Sequence, residues 1–343
     1  MRRGNGLFIL RSSQQRYTRQ MRGYRSWVMS VCSGGSESRV AIVMGLHDAG
    51  PSLSAQLESF LDQSLRCWDL HVGDDGGTAL DLAKLETFRE RAGHLGHMVC
   101  VSPGPRRGFA ANYMTMLRHL PPETGFVALS DQDDIWLPSK LERAVRALEK
   151  VTGPGLYCGA RVIWNPDSDL RRTSRALTRA PSFRNALVEN IACGNTIVLN
   201  TAALDLIRRS PPEADAVPFH DWWIYLLISG AGGQVIHDPA PQVLYRQHPG
   251  NALGAGEAGR NWMRARTEMI AGIYRARIEC NLAALVAARG LLSSDHQRLL
   301  DRFIAARHAP WPVRLQLLAS LGLYRQDRLS QLGLWGAFAL ARF

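Results

Sequence analysis

Short apolar runs alternate along the first half of the chain with stretches whose apolar positions recur at helical spacing. Val40-Ala41-Ile42-Val43-Met44 has no polar interruption, which predicts a central strand buried on both faces. Leu53, Leu57, Phe60, Leu61 and Leu65 then line one helix face, with Ser52 as the expected N-cap. Asp69–Gly73 predicts a second strand, Asp74–Thr78 a loop, and Leu82, Leu85 and Phe88 a second helix. Met98–Val101 reads as a third strand and Pro103–Gly108 as a loop. Phe109, Tyr113, Met116, Leu117 and Leu120 mark a third helix, and Phe126–Leu129 is a fourth buried strand. Such strand–helix alternation predicts an α/β fold, an open and mostly parallel sheet with helices on both faces. Ligands of these sheets lie beyond the carboxyl ends of the strands.

The pattern continues less regularly. A helix through Leu141, Val145 and Leu148 is expected to stop before Gly153-Pro154-Gly155. Leu156–Ile163 reads as one strand, and the Arg-rich residues 165–185 as a mobile loop. Thr196–Leu199 is a strand, His220–Ile228 a short helix, and Gln234–Ile236 and Val243–Arg246 the last strands. From about Gly256 the chain reads as helical to its end.

The candidate chemistry gathers at the predicted strand ends. Ser130-Asp131-Gln132-Asp133-Asp134-Ile135-Trp136 follows the fourth strand directly. Crowded carboxylates repel, and desolvating them is costly unless a cation joins them. Magnesium or manganese suits oxygen donors and shares its shell with substrate phosphates. Standing alone, such a run would be an acidic turn capping the next helix. Asp48 and Asp74-Asp75 fall at two further strand ends, so three acidic loops meet one sheet edge. G-x-G-x-x-G and P-loop patterns are both missing, which argues against an NAD site and a Walker-type phosphate loop.

Composition narrows the class. The 343 residues, 46% hydrophobic and 21% charged, suffice for one large domain with an appendage or for two domains. No apolar stretch reaches the roughly 18 residues that a membrane-spanning helix needs. Residues 1–37 read as a basic, flexible extension. Six scattered cysteines without C-x-x-C spacing fit buried thiols in a reducing cytoplasm better than a disulfide framework or a zinc site. The formal net charge of +11 suits anionic substrates or an anionic membrane surface; no nucleic-acid motif accompanies it.

Taken in order, these pieces resemble glycosyltransferase family 2, most closely its bacterial rhamnosyltransferase-like branch. The matching segments are Val40–Met44, Gln56–Ser64, Asp74-Asp75-Gly76, Asp131–Trp136, His220-Asp221-Trp222-Trp223 and Tyr245-Arg246-Gln247-His248. The resemblance runs from about Val40 to Gly254. The resemblance implies the GT-A fold, a Rossmann-like sheet with flanking helices. It further implies a dTDP- or UDP-linked sugar donor, Mg²⁺ or Mn²⁺, and inversion at the anomeric carbon. It implies that Asp75 accepts from the pyrimidine base and that Asp131 and Asp133 form the metal motif, Asp131 being alternatively a ribose ligand. Asp134 would assist either or cap the next helix. Asp221 matches the base that deprotonates the acceptor hydroxyl. His248 would reach the metal or diphosphate, and Arg246 would fork onto the diphosphate or simply end its strand. Trp136 would support the metal loop or pack the core. Gly194-Asn195 would admit the acceptor or form an ordinary turn.

Two positions depart from the family pattern. Leu46-His47-Asp48 stands where Thr-Tyr-Asn is common, leaving Asp48 as the nucleotide contact of that loop, and Gly77 stands where Ser is common. The resulting expectation has three parts: an extension over 1–37, a GT-A domain over 38–255, and a helical region over 256–343. The helical region is apolar with Trp, Arg and Phe interleaved, so membrane-surface contact and packing on protein are both open readings. The expected activity is transfer of rhamnose from dTDP-rhamnose to a surface polysaccharide or polyprenyl-diphosphate-linked glycan, in the cytoplasm or at the inner membrane face. A UDP-hexose or UDP-N-acetylhexosamine transferase is the nearest alternative, and a non-catalytic glycan-binding scaffold a more distant one.

Overall fold

The computed structural model describes residues 39–247 and 273–341. In chain order its first strands and helices are β1 (Val40–Leu46), α1 (Leu53–Leu61), β2 (Trp68–Asp74), α2 (Ala79–His94), β3 (Val99–Pro103), α3 (Phe109–His119) and β4 (Phe126–Ser130). Next come β5 (Ile135–Trp136), α4 (Lys140–Leu148), β6 (Gly155–Gly159), β7 (Val162–Asn165), β8 (Leu170–Thr173), α5 (Phe183–Ala186), β9 (Val198–Asn200) and α6 (Thr201–Arg208). The remainder is α7 (His220–Gly230), β10 (Gln234–Asp238), β11 (Val243–Arg246), α8 (Ile273–Ala287), α9 (Ser294–His308), α10 (Val313–Leu321) and α11 (Arg328–Ala339).

The strands build a seven-stranded sheet of order β10-β6-β9-β4-β1-β2-β3 and a four-stranded sheet of order β5-β11-β7-β8. In the large sheet β9 alone runs antiparallel to its neighbours β4 and β6. β1 sits between β4 and β2, parallel to both, as its unbroken apolar run predicts. Its alternate residues serve two cores. Val40, Ile42, Met44 and Leu46 pack under α1, α2 and α4, against Phe60, Leu85, Leu141 and Trp136. Ala41 and Val43 face the other core, with Tyr113, Met114 and Leu117 of α3 and the apolar residues of α7. Trp136 is therefore a core residue, its ring 4.8 Å from that of Phe60.

Several local expectations are corrected. Ser52 precedes α1, but a 3-10 turn leads into that helix and its hydroxyl makes no capping bond. Leu82 lies on the exposed side of α2, whose inward face is Asp81, Leu85, Phe88 and Ala92. Leu156–Ile163 is two strands. Ala160 N bonds Asp238 O while Val162 already pairs with Leu244, so the chain crosses from the large sheet to the small one. The stretch 165–185 is largely ordered: β8 closes a hairpin on β7, and Ser182 caps α5 by accepting from Asn185 N.

The C-terminal helices share the larger of the two cores. Ile278, Leu282, Leu285, Phe303, Leu321, Leu334 and Phe338 are buried in it together with α7. Tyr324 reaches back to Ser182, the two hydroxyls lying 2.7 Å apart. The packing reading of this region thus holds for those residues. An apolar strip still faces outward, with Leu329, Leu332 and Leu340 each about two-thirds exposed (68%, 67% and 69%). Among the described residues no helix is long and apolar enough to cross a membrane.

Candidate active site

The acidic loop leaves β4 where the parallel strands β1, β2 and β4 all end. Its four residues behave differently. Asp134 is fully buried and accepts from Asn195 Nδ2 at 2.5 Å and from Arg246 N at 3.1 Å. Burial first, and the Asp133 charge second, push its carboxyl up to about 7. It ties the loop to β11 and to the Gly194-Asn195 turn, so it neither caps α4 nor stands ready as a ligand. Asp131 is half-buried, and its carboxylate has no hydrogen-bond or ion-pair partner among the described residues. Burial raises its carboxyl well above the ordinary range, and the charges of Asp134, Asp133 and Asp221 add to that. Asp133 is half-buried, and its backbone carbonyl accepts from Arg246 Nε at 2.9 Å. Gln132 fastens the loop to the end of β1: its Oε1 accepts from His47 N at 2.8 Å and its Nε2 donates to His47 O at 2.7 Å.

Asp221 stands in the first turn of α7. Phe219 is the N-cap position and offers no side-chain bond, so Asp221 is not the helix cap. Its Oδ2 accepts from Gly194 N at 3.1 Å and its Oδ1 from Trp222 N at 2.7 Å. Burial raises its carboxyl; those hydrogen bonds, one from Asn190 and the Arg161 charge hold the rise back. A carboxylate so poised is a stronger base than a solvated one. His220 beside it is buried, stacked on Tyr113 with ring centroids 4.1 Å apart, and held neutral by burial that lowers it to about 3.

The loop after β2 separates two tasks that the sequence leaves together. Asp74 Oδ1 accepts from Gly76 N at 3.1 Å and Gly77 N at 2.7 Å, which shapes the turn. Asp75 accepts from Arg106 N in the neighbouring loop. A Cβ at Gly104 would come within 2.7 Å of Asp75 Oδ1, so glycine keeps that side of the carboxylate open. Asp48 is exposed with φ +41°, and its N–H bonds Gly76 O at 3.1 Å. The two departures from the family pattern meet each other: a Cβ at Gly77 would lie 2.5 Å from Leu46 Cδ2. Leucine at 46 fills the space that a side chain at 77 would take.

Two cations escaped the sequence reading. Lys140 is fully buried, its Nζ 2.8 Å from Asn195 O and 3.2 Å from the Trp136 ring centre. Burial drives its ammonium well down, opposed by the charges of Asp134 and Asp131. Arg161 begins the crossing into β7, with its guanidinium 4.4 Å above the Tyr245 ring. A lysine two residues past Pro138 and an arginine among many give no pattern that singles them out. Arg246 is engaged with the loop backbone and stacks on Trp164 at 4.6 Å. His248 lies outside the described residues.

Among the described residues no group of three or more His, Cys, Asp or Glu side chains stands ready to hold a metal. The donor set nonetheless fits a hard divalent cation that takes most of its shell elsewhere. Asp131 and Asp133 are two oxygen donors, and the unpartnered Asp131 resists ionising without a nearby positive charge. A cavity of about 290 Å³ opens beside this region at the start of α3, lined by Arg107, Gly108, Phe109, Asp215, Val217 and Pro218. The Phe109 ring lies 5.8 Å from that of His220.

Comparison with known proteins bears on the family and the fold. The family model described as glycosyl transferase family 2 matches residues 41–211. dTDP-rhamnosyl transferase RfbG of Shigella flexneri is 23% identical over 210 residues, covering 59% of this chain and 71% of that protein. The UDP-Glc:alpha-D-GlcNAc-diphosphoundecaprenol beta-1,3-glucosyltransferase WfgD of Escherichia coli is 25% identical over 189 residues, covering 55% and 69%. Among solved structures, S. aureus TarS 1–349 in complex with UDP-GlcNAc is similar in fold. Its TM-score is 0.51 at 13% identity, covering 89% of this chain and 82% of that one.

Proposed function

Given that residues 41–211 belong to glycosyl transferase family 2 and that the chain is a glycosyltransferase, we propose that it is an inverting, divalent-metal-dependent enzyme. In this reading it moves a sugar from a nucleoside-diphosphate donor to a glycan of the bacterial surface or to a lipid-linked glycan. The donor we favour is dTDP-rhamnose, and the similarity to RfbG supports it. The similarity to WfgD supports a second reading, a UDP-hexose transferase acting on a diphosphate-linked acceptor.

One arrangement supports the reaction: the Gly194-Asn195 turn bonds Asp221 of α7 on one side and Asp134 of the acidic loop on the other, and we take these as the two walls of one cleft. Asp75 would accept from the ring N3–H of the base, which both uracil and thymine offer. Asp131 and Asp133 would hold Mg²⁺ or Mn²⁺, with His248 as a further candidate ligand. A cation held there supplies positive charge to the departing diphosphate. Asp221 takes the acceptor hydroxyl proton as that oxygen bonds to C1 and the C1–O bond to the phosphate breaks. Asp48 would complete the nucleotide contacts. No covalent enzyme nucleophile enters, consistent with inversion.

We assign 38–255 to the catalytic domain, 256–343 to a C-terminal region whose described residues, 273–341, share its core, and 1–37, which lies outside the described residues, to an extension. The exposed Leu329, Leu332 and Leu340, with the net charge of +11, support surface contact with an anionic membrane carrying the acceptor, on its cytoplasmic side.

Thermal denaturation with dTDP- and UDP-sugars, each with and without manganese, tests the proposal. One donor should raise the midpoint only with metal present, and Asp133→Ala should abolish that gain. A protein stabilised by no nucleotide sugar would count against it.

A further inference from the structure

Arg161 occupies the short crossing between β6 and β7, where the chain passes from the large sheet to the small one. Its backbone is fixed: the N–H donates to Ser174 Oγ at 3.0 Å and the carbonyl accepts from Ser174 N at 2.8 Å. Val162, the next residue, pairs with Leu244 of β11. The guanidinium lies over the Tyr245 ring, 4.4 Å from its centre, and Tyr245 is the residue before the one whose N–H bonds Asp134. Arg161 is thus set beside the acidic loop by two strands and an aromatic ring.

Arg161 leaves its side-chain N–H groups unused beside the acidic loop. Several other arginines spend theirs on the protein. Arg143 grips both Asp238 oxygens at 2.8 and 3.0 Å, and Arg118 bonds Asp215 together with several carbonyls. Arg161 makes no side-chain hydrogen bond and no ion pair among the described residues. Yet its charge favours the ionised forms of Asp131, Asp134 and Asp221 and of Cys193. Its placement rests on the Tyr245 ring, whose neighbour Arg246 bonds both Asp133 and Asp134. A guanidinium that rests one face on a ring keeps its N–H edge for a planar oxygen pair, and phosphate offers one.

Charge balance points the same way. Asp131, Asp133, Asp134 and Asp221 would repel an incoming diphosphate, and one divalent cation offsets only part of that. Lys140 is sealed in the core, and Arg246 already braces the loop at Asp133 O. We propose that Arg161 binds a diphosphate group in this cleft through its N–H edge, a role that rests on the glycosyltransferase reading above. Both a nucleotide-sugar donor and a diphosphate-linked acceptor carry that group, and the donor is favoured because Arg161 adjoins the loop of Asp131.

The test measures dTDP and UDP binding to the full chain by calorimetry, with manganese, for wild type, Arg161→Gln and Arg161→Lys. A second arm measures KM for a polyprenyl-diphosphate-linked acceptor and for the same glycan without the diphosphate. For the donor source, Arg161→Gln should weaken nucleoside-diphosphate binding by about tenfold or more, while binding of the parent nucleoside is unchanged. Arg161→Lys, which keeps charge and stem but loses the fork, should recover only part. Unchanged nucleoside-diphosphate binding with a similar rise in KM for the diphosphate-linked acceptor alone would move the group to the acceptor. If both quantities match wild type in a variant of normal melting temperature, the inference is overturned. Wild-type protein that binds neither dTDP nor UDP would instead sink the functional reading, and this inference with it.

Discussion

Asn195 Nδ2 lies 2.5 Å from Asp134 Oδ2, while the N–H of the preceding Gly194 lies 3.1 Å from Asp221 Oδ2. One turn therefore touches both the acidic loop and the opposing carboxylate. Asn195→Ala leaves Asp134 buried with one bond fewer. We expect a loss of about 2 kcal/mol in denaturant unfolding and a fall in turnover. Stability and turnover both within error of wild type would show that the turn does not couple the two sides.

Gly76 has φ +143°, and a Cβ there would lie 2.5 Å from His47 Nδ1. Gly76→Ala is strained on both counts, and displaced His47 would pull on Gln132. We expect about 1–3 kcal/mol of destabilisation together with weaker nucleotide binding. Gly50, with φ +65° and open space around it, serves as a control in which only backbone strain acts.

His220 should make the protein acid-sensitive. Burial lowers its imidazole to about 3, so between that value and the usual one of about 6.5 the unfolded chain binds a proton that the folded chain does not. Stability is intact above about pH 6.5 and falls as the pH drops below it, by about 1.4 kcal/mol at one unit lower. The Tyr113 stack suits a Phe ring equally well. His220→Phe should remove this part of the acid slope, as followed by urea midpoints between pH 5 and 8; an unchanged slope would place the proton uptake elsewhere.

The C-terminal helices yield two opposite expectations. Phe338→Ala opens the shared core and should cost about 3–5 kcal/mol. Replacing the exposed Leu329, Leu332 and Leu340 together with Ser should leave the melting temperature nearly unchanged and reduce cosedimentation with anionic vesicles. Undiminished vesicle binding would remove the membrane role from this strip.

The parallel strands and the acids at their ends were legible because a buried strand writes a continuous apolar run and crowded carboxylates stand out at its end. The hairpin of β7 and β8 was not, because its outer strand Leu170–Thr173 is exposed along its whole length and carries no apolar alternation. The division of labour among neighbouring acids was equally hidden. Asp74 shapes a turn and Asp134 braces two elements, while Asp75 accepts from the neighbouring loop and the Asp131 carboxylate has no partner among the described residues, and only contacts distant in sequence, such as Asn195 and Arg106, separate them. Lys140 and Arg161 stand out only through burial and position, which single residues do not announce.

The central claim is that Asp221 removes the acceptor proton in a cleft whose other wall holds the donor. It is tested most directly by the transfer rate of Asp221→Asn at saturating donor, with dTDP and UDP affinity measured on the same preparation. We expect turnover to fall by about 10²–10⁴-fold with affinity essentially unchanged. Turnover close to wild type would contradict the account.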